Sequence, residues 1–287
     1  MGMRKVTIMS DYRIFANHAH LFPKNTKPNG DIDCLTSLMD ECSIEKAVCF
    51  APFRYQMDMY AQTTGQNPCQ WVAEEIKNNP RFVGFGTIDF DRQNLKEQVK
   101  EIKNLGLLGI KIHPAAQEVN VVGKELFEVY EEAEKQGLFL SFHTGLHWHR
   151  IADYQMLLFD EVAYNFPALN FSMEHMGGYS FFNEALLVMN NNSRRKPGEV
   201  FAGWTSIAME KDEFGNVRRG AWSITDDQLC DLVYKTGANR SIFGLDTPYK
   251  DSKMIKEAIE RIKNLPISEE AKHGILGDNL RRILKVE

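Results

Sequence analysis

Short apolar runs alternate regularly with longer amphipathic stretches along all 287 residues, and this alternation leaves few possible folds. Eight runs rich in β-branched and aromatic residues are predicted to be strands, at 14–19, 46–50, 82–88, 109–113, 139–143, 170–175, 200–204 and 241–245. Between them apolar residues recur every three to four positions, as over 94–105 and 124–136, which is typical of helices packed on a sheet. Eight such units predict an α/β protein that forms one (β/α)8 TIM barrel, a single domain over residues 1–287.

Charge and cysteine content narrow the partners and the compartment. The net charge is −5 and the basic residues are scattered, which argues against nucleic acid and favours a small-molecule substrate. No stretch approaches the roughly 20 apolar residues of a membrane span, and the first residues do not resemble a signal peptide. The five cysteines are an odd number with no CxxC pair. We therefore expect a cytoplasmic protein with no membrane partner.

The histidines are concentrated at the predicted strand ends. All but one of the eight lie at or just beyond the end of a strand, the exception being His273, which we expect to be structural. His18 and His20 end strand one, and alternation along a strand turns both imidazoles to the same side. The other polar side chains at strand ends are Lys111 and His113 on strand four, His143 on strand five, His175 on strand six and Asp246 on strand eight.

In a barrel these ends converge on one mouth, where the active sites of this fold lie. Imidazole and carboxylate donors together suit a divalent cation. We therefore predict one bound divalent metal ion, with zinc as the expected ion and manganese, iron or cobalt as alternatives.

Six sequence pieces carry a family resemblance, and they follow one another across almost the whole chain. They are the segments 18–20, 109–114, 142–145, 174–178, 243–248 and 277–284. Together they resemble the amidohydrolase superfamily, in particular the amidohydrolase-related branch of metal-dependent hydrolases and decarboxylases that includes aminocarboxymuconate-semialdehyde decarboxylase.

The resemblance implies roles for particular side chains. His18, His20, His143 and Asp246 would be metal ligands, and His175 an acid/base or an additional ligand. Ala16 stands where the family usually has an acidic residue, which leaves metal affinity and reaction type open. Lys111 would be carbamylated if two metals were bound, and would face an anionic substrate or a salt bridge if one were bound; we favour one metal. Family members often form dimers, so a homodimer is an option.

The expected reaction is metal-assisted hydrolysis of a small amide, lactone or ester. Asp246 would accept the proton of the attacking water, and His175 or His113 would stabilise the oxyanion. The alternative is non-oxidative decarboxylation or hydration of a carboxylated substrate. A third, non-catalytic reading is a barrel that only binds a metabolite.

Further side chains are predicted to contact substrate. In the decarboxylation alternative Arg54, Arg150 and Lys111 would clamp a carboxylate, although the two arginines could equally be solvated loop charges. His147, Trp148 and His149 follow strand five and are expected to overhang the mouth. The competing interpretation is that Trp148 only covers the rim.

Overall fold

Eight parallel strands close into a barrel in chain order, with β1 paired to β8. This architecture comes from a computed structural model that describes residues 12–59, 65–209 and 224–287. The strands are β1 Ile14–His20, β2 Ile44–Phe50, β3 Phe82–Thr87, β4 Gly109–Ile112, β5 Phe139–His143, β6 Asn170–Glu174, β7 Val200–Trp204 and β8 Ser241–Thr247. The predicted fold class, a (β/α)8 barrel, is confirmed.

Helices follow the strands and cover the outside of the barrel. In the described residues they are α1 Ile32–Glu41, α2 Arg54–Met59, α3 Pro68–Ile76, α4 Leu95–Asn104, α5 Lys124–Gln136, α6 Leu158–Asn165, α7 Gly178–Asn191, α8 Asp226–Thr236, α9 Ser252–Asn264, α10 Glu269–His273 and α11 Asn279–Leu284. Local signals set their ends. Gly137 ends α5 in the left-handed conformation with φ +65°, and Thr225 and Gln228 form a capping box at the start of α8.

Two apolar layers form the core. Alternate strand residues such as Ala47 and Cys49 pack outward against the helices, whereas Phe15, Phe50 and their neighbours fill the barrel interior. Leu280 of α11 belongs to the interior layer, so this C-terminal helix closes the bottom of the barrel. The polar groups of the opposite end therefore face a mouth whose floor is a packed core.

The described helices do not include one that combines the length and the apolar character needed to span a bilayer.

Candidate active site

A cavity of about 270 Å³ opens at the carboxyl ends of the strands. Seven of the eight histidines line it, together with Lys111, Asp246 and several aromatic side chains. The lining histidines are His18, His20, His113, His143, His147, His149 and His175. The structure therefore brings together the side chains that the sequence places at separate strand ends.

His18, His20 and Asp246 form a group that could hold a metal ion, because one ligand atom of each lies within 4.8 Å of the others. His18 Nε2 is 3.5 Å from Asp246 Oδ1, and the second oxygen, Oδ2, accepts a hydrogen bond of 2.6 Å from Ser206 Oγ. Two imidazoles and one carboxylate are a donor set that suits a first-row divalent cation. These three residues therefore fit the predicted metal.

Glu174, the last residue of β6, holds His18 in place. Its Oε2 accepts from His18 Nδ1 at 3.0 Å and from Thr205 Oγ1 at 2.8 Å. Its Oε1 accepts from Asn17 Nδ2 at 2.7 Å, from Ser141 Oγ at 3.2 Å and from Ser172 Oγ. Because a carboxylate only accepts, His18 carries its proton on Nδ1 and directs the Nε2 lone pair into the cavity.

Glu174 was not singled out from the sequence, although a signal was present. A carboxylate at the end of a buried strand is rare unless it is fully hydrogen-bonded, and Glu174 is completely buried. Ala16, by contrast, packs in the outer apolar layer, and it is Asn17 that contacts the buried carboxylate.

His143 and His113 stack on each other beside this group, with ring centroids 3.9 Å apart. His143 Nε2 lies 2.7 Å from the carbonyl oxygen of Gly145, so Nε2 donates and Nδ1 is the nitrogen that could act as a ligand. His175 lies close to both His18 and His143. Its ring centroid is 5.0 Å from that of His18 and 4.8 Å from that of His143.

Lys111 is fully buried in the barrel next to the candidate ligands. Its Nζ is 3.4 Å from His18 Nε2 and lies 4.9 Å from the centre of the Phe50 ring. Burial lowers the pKa of Lys111 to about 8, against the opposing effect of Glu174.

Burial dominates the electrostatics of the other groups as well. It raises the pKa of Asp246 to about 6 and lowers the pKa of His20 to about 3. It also lowers the pKa of His18, His143 and His175 well below the usual histidine value. The imidazoles are therefore neutral at pH 7, which is the form that binds metals.

Several of these side chains are on residues with left-handed backbone conformations. His18, His175, Ser206 and Asp246 have φ values of 65°, 64°, 59° and 61°. Such values are uncommon for residues other than glycine, and strained residues of this kind concentrate at functional sites. Their clustering at one end of the barrel supports the assignment of this cavity as the active site.

The loop after β5 forms one rim of the cavity. His147 and His149 face the cavity, and His113, His147 and His149 form a second group whose nitrogens lie within 4.8 Å of one another. Trp148, between the two histidines, has φ +54° and a side chain that is 97% exposed. Trp148 thus borders the mouth without covering it.

Arg54 and Arg150 do not join the cavity in this structure. Arg150 is paired with Asp153 at 2.6 Å and lines a separate groove of about 700 Å³. Arg54 donates to the Gln66 carbonyl oxygen at 3.0 Å and borders another surface pocket. Of the three side chains expected to clamp a carboxylate, only Lys111 faces the candidate metal ligands.

Comparison with known proteins gives three kinds of match. A family model described as amidohydrolase matches residues 24–286. The chain is 23% identical over 241 residues to a 2-amino-3-carboxymuconate-6-semialdehyde decarboxylase of Dictyostelium discoideum; the match covers 75% of this chain and 65% of that protein. The chain therefore spans about two thirds of the length of this relative.

Solved structures share the fold at low sequence identity. A 5-carboxyvanillate decarboxylase from Sphingomonas paucimobilis has a TM-score of 0.68 and 16% identity, covering 96% of this chain and 100% of that one. A dihydroxybenzoic acid decarboxylase from Polaromonas, solved with bound manganese and 2-nitroresorcinol, has a TM-score of 0.65 and 16% identity, covering 96% and 97%.

These comparisons correct one prediction. Hydrolysis of a small amide, lactone or ester was the expected reaction, and it is wrong, because these relatives are decarboxylases. The motifs that suggested hydrolysis identify candidate metal ligands, and a set of ligands does not by itself determine the reaction.

Proposed function

Because the chain belongs to the amidohydrolase family, we propose that it is a metal-dependent, non-oxidative decarboxylase of a small carboxylated aromatic substrate. The observation that carries the proposal is the group of His18, His20 and Asp246, which shares one cavity with the buried lysine Lys111. The named activities of the relatives support the reaction type.

One divalent ion would be held by His18, His20 and Asp246, with His143 as a fourth ligand through Nδ1. Manganese is present in the Polaromonas enzyme, and the same donors suit zinc, iron or cobalt. When bound, the ion would polarise substrate oxygens and hold the substrate in place. Glu174 keeps His18 oriented for this role through the 3.0 Å hydrogen bond to Nδ1.

Decarboxylation breaks the bond between a ring carbon and the carboxylate carbon, releases CO2 and replaces the lost group by a proton. Lys111 would attract the anionic substrate, since its amine is buried beside His18 at the cavity. We assign proton delivery to His175. In the structure burial lowers the pKa of His175, and a substrate carboxylate next to the ring would raise it again.

The first test is metal content together with CO2 release. The wild type, reconstituted with manganese or zinc, should contain about one metal ion per chain and should release CO2 from some members of a panel of hydroxylated benzoates. A variant with both His18→Ala and His20→Ala should lose the metal and the activity. His273→Ala is the matched control, since this histidine stacks on Tyr12 outside the cavity.

Two results would contradict the proposal. One is a wild type that takes up no metal after reconstitution with either ion. The other is a metal-loaded wild type that leaves the carboxylates intact while opening lactones or cleaving amides.

A further inference from the structure

The three histidines on the rim side of the cavity form a site of their own. The ring centroids of His113 and His147 are 5.8 Å apart, those of His113 and His149 are 5.3 Å apart, and those of His147 and His149 are 5.9 Å apart. His113 is 8% exposed, whereas His147 and His149 lie on the loop and are more open to solvent. The group thus has a buried base and an open side that faces the cavity.

His113 presents a buried N–H group that has no acceptor within the described part of the chain. The backbone N–H of Ala116 donates to His113 Nδ1 at 3.2 Å, so Nδ1 is an acceptor and the proton of the neutral ring lies on Nε2. Nε2 is buried and has no hydrogen-bond partner among the residues that the structure describes. Leaving a buried donor unsatisfied costs free energy, which a bound acceptor would recover.

One hydrogen bond and one backbone turn fix the loop that carries His147 and His149, each of which has a nitrogen within 4.8 Å of a nitrogen of His113. The backbone N–H of His147 donates to the hydroxyl of Tyr154 at 2.9 Å. Tyr154 is itself buried and stacks on Phe181. The left-handed residue Trp148 turns its own side chain outward and leaves its two neighbours over the cavity.

A second metal ion fits this group poorly. Coordination through His113 Nε2 requires a lone pair there, which would move the proton to Nδ1 and set it against the N–H of Ala116. An oxygen that accepts hydrogen bonds matches the protonated Nε2. An anionic oxygen suits it best, because charge-assisted hydrogen bonds are the stronger ones.

We propose that His113, His147 and His149 bind a second carboxylate of the substrate, so that the chain acts on small aromatic dicarboxylates. One carboxylate would lie at His18, His20 and Asp246, and the other at the three rim histidines. This inference rests on the proposed function for the first carboxylate. It adds a specificity subsite that recognises the group that is not removed.

The test measures binding rather than turnover. Calorimetric titration of the metal-loaded protein would compare benzoate with benzene-1,2-, benzene-1,3- and benzene-1,4-dicarboxylate. At least one dicarboxylate should bind about tenfold or more tightly than benzoate, as expected for one added charge-assisted hydrogen bond.

Two variants of His113 distinguish the roles of its two ring nitrogens. His113→Gln keeps an N–H near the Nε2 position and should retain most of the dicarboxylate advantage. His113→Asn keeps only a group near Nδ1 and should abolish the advantage. His149→Ala should reduce the advantage, and His273→Ala should leave it intact.

Equal affinity of the wild type for benzoate and all three dicarboxylates would overturn the subsite. So would two metal ions per chain with the second lost in His149→Ala, which would make the group a metal site. Failure of the proposed function is distinguishable: a dicarboxylate advantage that depends on His113, without CO2 release from any substrate, would retain the subsite and reject the decarboxylase.

Discussion

Replacing Glu174 tests directly whether this buried carboxylate orients His18 for metal binding. Glu174→Gln keeps the size of the side chain but replaces one acceptor oxygen with an NH2 group. If that group takes the place of Oε2, it faces the Nδ1–H of His18 across the present 3.0 Å contact. His18 must then move its proton to Nε2, which removes the lone pair that a metal needs.

When the new NH2 group instead takes the place of Oε1, the effect on metal binding should be smaller, because Asn17 can adjust to it. The Asn17 Oδ1 has no hydrogen-bond partner among the described residues, so this amide can turn over and accept from the new NH2 group when that group is placed at the Oε1 position. The hydrogen bond from His18 Nδ1 then remains, but its acceptor is a neutral amide oxygen in place of a carboxylate oxygen. Loss of a supporting partner of a metal ligand typically weakens metal binding about 10- to 100-fold, or about 1.4 to 2.8 kcal/mol.

The measurement is the metal dissociation constant, obtained by competition with a chromophoric chelator. Glu132→Gln is the matched control, since Glu132 is also buried but lies on α5, where it accepts from Gln136. It should leave the dissociation constant unchanged. A folded Glu174→Gln protein with wild-type metal affinity would contradict this role of Glu174, because His18 would then be oriented without the carboxylate.

Four further outcomes follow from the same geometry. Gly203→Ala should lower metal affinity, measured by the same competition, because its Cβ would lie 2.4 Å from Glu174 Oε2 and displace the carboxylate. His175→Asn should keep its metal but lose CO2 release in a coupled assay. Trp148→Ala should change the free energy of unfolding in urea by less than about 0.5 kcal/mol, since the side chain is 97% exposed. Metal-free protein should lose stability below pH 6.5. Five cavity histidines with strongly lowered pKa, His20 among them, remain neutral when folded and bind protons when unfolded, each costing about 1.4 kcal/mol at pH 5.5. Asp246, whose pKa is raised to about 6, opposes this loss by less than about 1 kcal/mol. Urea midpoints that stay constant from pH 7.5 to 5.5 would contradict this assignment.

The barrel itself could be predicted because its strands and helices have strong periodicities. The segments 139–143 and 200–204 coincide with β5 and β7, and 124–136 coincides with α5. The predicted ends of strands are less accurate, because the hydrophobic periodicity stops there. Strand six was extended to His175, but β6 ends at Glu174 and His175 begins a short turn in the left-handed conformation.

Contacts between distant segments could not be predicted from patterns along the chain. Arg54 and Arg150 were predicted either to clamp a carboxylate or to be solvated loop charges, and local partners at Gln66 and Asp153 hold them away from the cavity. Glu174 was overlooked because the residues that donate hydrogen bonds to it are far apart in the chain. Its five donors come from five positions between 17 and 205, and only the closed barrel brings them to one point.

The conformation of β1 shows why an incomplete argument could still place His18 and His20 at the cavity. Alternation predicts that His18 and His20 share a face, and both do line the cavity. The register of β1 is nevertheless irregular between Ala16 and Ala19, and His18 has φ +65°. This irregularity lets Asn17 and His18, which are adjacent in the chain, contact the same carboxylate of Glu174. The strain is concentrated at the residue whose imidazole must be fixed, so the backbone and the buried carboxylate together orient the candidate ligand.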